Sequence, residues 1–111
     1  MITRSARIPR SDFPSLSRSR HHIHGEYHTV VYTPLEVYRG AVVVSKKVAK
    51  SAVDRNRLRR RAYATVATLW QTNELPTGAY IIYYKPGALK VSRKELAMSL
   101  TTTLARIPKS R

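Results

Sequence analysis

The apolar positions of this chain switch between strand-like and helix-like spacing, and each switch marks an element. Residues 28–33 are β-branched and aromatic, which suits a strand, and Pro34 stops it. Residues 38–47 form a second and longer strand candidate that runs through Val42, Val43 and Val44 and ends in charge. From Ser51 the spacing becomes helical. Leu58, Ala62, Thr65, Val66 and Leu69 make one apolar stripe. Ser51 is placed to cap that helix, and Asp54 three residues on complements its dipole. The helix is expected to end near Thr72 or Asn73, ahead of Pro76. Residues 78–84 are a third strand, apolar on both faces, and Pro86-Gly87 terminates it. Ser92 and Glu95 have the spacing of a capping box. Leu96, Leu100, Thr103, Leu104 and Ile107 then mark a second amphipathic helix, closed by Pro108.

The first 28 residues are different. They are rich in Arg, Ser, Pro and His, and no period runs through them. One helical turn could start near Ser11, limited by Pro14, and residues 15–25 suit a loop. The predicted order is helix, strand, strand, helix, strand, helix. That is an α+β fold with helices packed on a small central β-sheet. The 111 residues fit one domain over 1–111, with 1–28 as an N-terminal segment whose composition suits mobility.

Charge narrows the function. Lys and Arg number 21 against 6 Asp and Glu, for a net charge of +15. Such an excess repels itself, and bound nucleic acid is its commonest compensation. No apolar run approaches the roughly 20 residues that cross a bilayer, and no apolar signal core follows the N-terminal basic residues. There is no cysteine. A cytoplasmic protein without membrane partners is expected. The basic residues concentrate at Lys46, Lys47 and Lys50 and then at Arg55, Asn56, Arg57, Arg59, Arg60 and Arg61. An ordinary solvated helix mixes signs, because opposite charges four residues apart stabilise it. Here Arg57 and Arg61 place like charges at that spacing. These nine residues are therefore assigned to a polyanion, with RNA favoured because guanidinium groups both fork onto phosphate and stack on splayed bases.

Convergent catalytic groups are missing from the pattern. The six acids, Asp12, Glu26, Glu36, Asp54, Glu74 and Glu95, are scattered. A two-metal nuclease needs several carboxylates together. The histidines at 21, 22, 24 and 28 lie in expected loop or strand without cysteine. Solvated or RNA-facing roles suit them better than metal binding. No Ser-His-Asp motif is present. The polypeptide itself is expected to carry out no chemistry. Among the aromatics, Phe13 and Tyr32 border basic segments and are candidates for stacking unpaired bases, whereas residues 80–84 suit core packing. A ribosomal or other structural RNA-binding protein, or a duplex-DNA binder, would carry the same charge.

The spacing of the two basic segments resembles one family. Val44-Ser45-Lys46-Lys47 followed by Arg55-Asn56-Arg57-Leu58-Arg59-Arg60 is similar to the protein subunit of bacterial ribonuclease P. More weakly, Arg7-Ile8 with Asp12-Phe13 resembles that family's opening, and the segment ending Lys85-Pro86-Gly87-Ala88 its late strand and turn. The chain departs from the family at Ala49, where glycine is usual, and at Ser17, where a second aromatic is common. The resemblance implies an accessory subunit of an RNA enzyme that matures the 5′ end of tRNA. It implies that the RNA is the catalyst and mainly holds the Mg2+, while the protein alone binds no cofactor. It implies that Lys46, Lys47, Arg55, Asn56, Arg57, Arg59 and Arg60 face catalytic RNA. Phe13, Tyr32 and Lys85 would face the single-stranded 5′ leader of precursor tRNA. One protein per RNA and a left-handed βαβ crossover are also implied.

Overall fold

The structure, a computed structural model, describes residues 7–9 and 21–107. The expected turn near Ser11, Phe13 and the closing Pro108 lie outside the described residues. Strands β1 (His21–His24), β2 (His28–Pro34) and β3 (Arg39–Val43) come first. Helix α1 (Ala52–Gln71) follows, then β4 (Gly78–Tyr84), a single 3-10 turn (Ala88–Lys90) and helix α2 (Arg93–Ala105).

The four strands form one sheet in the order β1-β2-β4-β3. β1 with β2 and β2 with β4 are antiparallel, while β3 and β4 are parallel. A parallel pair needs a crossover, and α1 supplies it. β4 is therefore central, which is why its sequence is apolar on both faces. Alternate residues split between the two faces. Val30, Tyr32, Val42, Tyr80, Ile82 and Tyr84 pack with Leu58, Val66, Leu96, Leu100 and Leu104 of the helices in the main core. Val31, Ala41, Ala79 and Ile81 form a smaller cluster with Ile8 on the opposite face.

Both predicted helix starts are present. The Ser51 hydroxyl accepts from the amides of Val53 at 3.1 Å and Asp54 at 3.4 Å. The Ser92 hydroxyl accepts from the Glu95 amide at 3.1 Å, while the Glu95 carboxylate accepts from the Tyr27 hydroxyl at 3.4 Å. α1 stops at Thr72 because Asn73 turns into the left-handed region at φ 58°.

Two boundaries depart from expectation. Residues 21–24, expected in a loop, form edge strand β1, paired from His21–Tyr32 to His24–Thr29. Three of the four side chains are histidine, so no apolar alternation announces the strand. The free backbone edge of β2 creates it. β3, expected to reach Lys47, ends at Val43, whose partner Tyr83 is one residue from the end of β4. There the chain turns away from β4, and the Val48 amide donates to the Ser45 carbonyl at 3.0 Å.

Candidate nucleic-acid interface

The loop between β3 and α1 presents its lysines on a fixed base. Val48 and Ala49 are buried in the main core, while Lys46, Lys47 and Lys50 are exposed. Arg55 secures this loop to the helix. Its Nη1 donates to the carbonyl oxygens of Ala49 at 3.0 Å and Lys50 at 2.8 Å. The sequence groups Arg55 with the residues facing RNA, and the structure gives it a positioning role in the loop that carries Lys50.

The rest of the basic run fans around α1 because the apolar stripe of Leu58, Ala62 and Val66 takes the side toward the sheet. Asn56 sits on the exposed crest and accepts from Arg59 Nη1 at 2.5 Å, which orients the Arg59 guanidinium. Arg59 and Tyr63 line a shallow depression beside β3 with Ile8 and Val43. Arg7 extends that side, its guanidinium 5.1 Å from the centre of the Tyr63 ring. Arg57, Arg60 and Arg61 line the other side, a groove shared with Arg93 of α2. Arg57 has a half-exposed side chain and lies 3.6 Å from the Asp54 carboxylate. The helix thus divides its cations between two concave surfaces. Arg7 and Arg93 join them although the sequence assigns neither, since each is remote in the chain from the basic run.

Tyr84 ties this helix to the sheet. Its buried hydroxyl donates to the Leu58 carbonyl at 2.9 Å. Burial pushes the phenol up to about 12, against the smaller opposing effect of the Arg61 charge, so it remains a neutral donor at neutral pH.

The three leader-facing assignments fare differently. Phe13 lies outside the described residues. Tyr32 requires correction: it is 2% exposed, tilted against Tyr80 at 5.0 Å between ring centres, and its hydroxyl donates to the Thr77 carbonyl at 2.7 Å. Even-numbered residues of β2 face the helices, so this ring is core and presents no surface to a base. Lys85 is half-buried, and its Nζ donates to the Gly25 carbonyl at 2.7 Å, closing the β1–β2 turn onto the end of β4. Among the described residues, Tyr83 is an aromatic on the face away from the helices, half-buried and flanked in the sheet by Thr29 and Val43. His24 extends that row across β1, its Nδ1 3.4 Å from the Thr29 hydroxyl.

The histidines do not converge. His21 pairs opposite Tyr32 and His24 opposite Thr29 on β1, while His28 is wholly buried with its ring 4.5 Å from that of Tyr84. Burial, and then the nearby Lys85 charge, push His28 down to about 4. Among the described residues no group of three or more His, Cys, Asp or Glu side chains could hold a metal ion. Among them, too, no helix is long and apolar enough to cross a membrane.

The family model for ribonuclease P matches residues 3–108. A curated ribonuclease P protein component from a Nitratiruptor species is 36% identical over 84 residues, 76% of this chain and 74% of that protein. Among solved structures, the Staphylococcus aureus RNase P protein aligns with a TM-score of 0.81 at 20% identity, covering 92% of this chain and 96% of that one. The Thermotoga maritima RNase P protein aligns with a TM-score of 0.80 at 21% identity, covering 92% and 97%. These two structures share the α+β fold described above.

Proposed function

This chain belongs to the ribonuclease P protein family and so acts in tRNA processing as a subunit of that ribonucleoprotein, and we propose on that premise how its surfaces divide the work. Lys46, Lys47, Lys50, Asn56, Arg57, Arg59, Arg60 and Arg61 bind the phosphates of the catalytic RNA, and Arg55 holds the loop that presents the lysines. The face of the sheet away from the helices, with Tyr83, receives the 5′ leader of precursor tRNA, assisted by Phe13. Cleavage takes place on the RNA, which mainly holds the Mg2+, and the protein carries no cofactor of its own. One protein serves one RNA, in the cytoplasm.

The observation that carries this proposal is the excess of positive charge on α1. Arg57, Arg60 and Arg61 share a groove with Arg93, and among the described residues no carboxylate lines it. A polyanion relieves that repulsion without displacing the helix from the sheet. The test is reconstitution. RNA-free protein should leave precursor tRNA intact, and addition of a ribonuclease P RNA should restore cleavage at a lower Mg2+ concentration than the RNA needs alone. Holoenzyme carrying Phe13→Ala or Tyr83→Ala should bind precursor tRNA more weakly and mature tRNA as before. Cleavage by the RNA-free protein would overturn the division of labour. Equal losses for both tRNAs would overturn the leader assignment.

A further inference from the structure

The groove between α1 and α2 is more than a patch of charge. It has a volume of about 430 Å³, an arginine rim and an apolar floor. Arg57 and Arg60 are exposed at the rim, and Arg93 reaches it from the first position of α2. The floor includes Leu96, Ala97 and Leu100, with Ala64 on the α1 wall. The small side chains at Ala64 and Ala97 keep it open. Arg61 lines it as well, and its Nε is buried without a hydrogen-bond partner among the described residues.

A surface that only meets backbone phosphates has no use for these features. Phosphates on a duplex are read by exposed cations, and an apolar cleft beneath them would stay filled with poorly bonded water. A nucleotide taken out of its stack presents the complementary chemistry: a charged phosphate for the rim, a flat apolar face for the floor, and carbonyl or ring-nitrogen acceptors for a buried N–H. Guanidinium groups add stacking on the base plane. We propose that the α1–α2 groove is a binding pocket for a single unpaired nucleotide of the catalytic RNA, clamped by Arg57, Arg60 and Arg93 and seated over Ala97. The inference rests on the RNA-binding role proposed above and extends it to α2, which the basic run does not reach.

The experiment fills the pocket without changing charge. Ala64 is exposed, so Ala64→Leu leaves the core intact, and Ala97→Leu fills the floor. Affinity for a ribonuclease P RNA is measured across a salt series, with thermal melts confirming the fold. Each substitution should weaken binding by about tenfold with the salt slope unchanged, as expected when a seated base and not a phosphate contact is lost. Unchanged affinity in both variants overturns the pocket while leaving the phosphate-binding role standing. A wild-type protein that binds no such RNA overturns that role and the pocket with it. Zero-length ultraviolet crosslinking of the wild-type complex gives a second readout. It should join one unpaired nucleotide to a peptide that lines the groove, and Ala97→Leu should abolish that crosslink. Groove crosslinks to duplex only would also overturn the pocket.

Discussion

Tyr32 donates its hydroxyl to the carbonyl oxygen of Thr77 across the sheet at 2.7 Å. Two further tyrosines do the same for the preceding residues. Tyr38 donates to Leu75 at 2.6 Å, and Tyr80 donates to Pro76. Three consecutive carbonyls of the segment that returns the chain from α1 to β4 are thereby held by three phenols. Burial raises the proton affinity of Tyr32 and Tyr80, so both remain donors. The crossover helix is fixed at its far end by these bonds and near its start by Arg55.

Removing the Tyr32 hydroxyl should therefore act on stability. Tyr32→Phe keeps the ring and loses one part-buried hydrogen bond, which is worth about 1 kcal/mol. Urea unfolding should show that loss. Tyr32→Leu should lower the melting temperature further and weaken precursor and mature tRNA alike. A loss confined to precursor tRNA would return Tyr32 to the leader site.

Arg55 and the rim arginines should separate cleanly. Arg55→Ala deprives the Ala49 and Lys50 carbonyls of their donor and should cost about 1–2 kcal/mol of stability. Replacing Arg57 and Arg60 together by Ala changes exposed side chains and should alter stability by no more than about 0.5 kcal/mol each. The same pair should reduce the slope of log affinity against log salt by roughly 1.4 to 1.8, taking one phosphate per arginine. Circular-dichroism melts and filter binding at several salt concentrations check both statements.

His28 gives the fold an acid sensitivity. Its folded-state proton affinity is lowered to about 4 from an ordinary 6.5. Between those values the unfolded chain takes up a proton that the folded chain refuses, so stability is full above pH 6.5 and falls as the pH drops toward 4. The whole effect is on the order of 3 kcal/mol. His28→Phe keeps a ring against Tyr84 and should flatten stability across that window. An unchanged pH profile in the variant would assign the sensitivity elsewhere.

Gly25 marks where the β1–β2 turn meets α2. A Cβ placed there would lie 2.1 Å from the hydroxyl oxygen of Thr103, a buried residue of α2 that donates to the Ser99 carbonyl at 2.9 Å. Gly25→Ala should cost about 1–3 kcal/mol as overpacking. Gly25→Ala combined with Thr103→Ala should recover part of that loss in the same unfolding measurement, because the clashing hydroxyl is gone.

The long helix, the central strand, the second helix and the character of the partner were legible in the amino-acid pattern. Those rest on local signals: a hydrophobic period sustained through α1, the caps at Ser51 and Ser92, an unbroken apolar run in β4, and a cation run with almost no acids. The spacing of Lys46-Lys47 and Arg55-Asn56-Arg57 also pointed to the family. Tertiary structure alone decided what depends on neighbours. β1 is a strand because β2 offers an unpaired edge, which no pattern of histidines announces. Tyr32 is core and Tyr83 is not, because the two helices cover one face of the sheet and alternation sends neighbouring residues to opposite sides. Arg55 differs from Arg57 only in which groups lie within reach, two loop carbonyls in one case and a groove in the other. Arg93 stands 32 positions after Arg61 in the sequence and lines the same groove, because α1 and α2 lie side by side on one face of the sheet. Charge and period are properties of a segment, whereas a face, an edge or a shared groove exists only once the segments have packed.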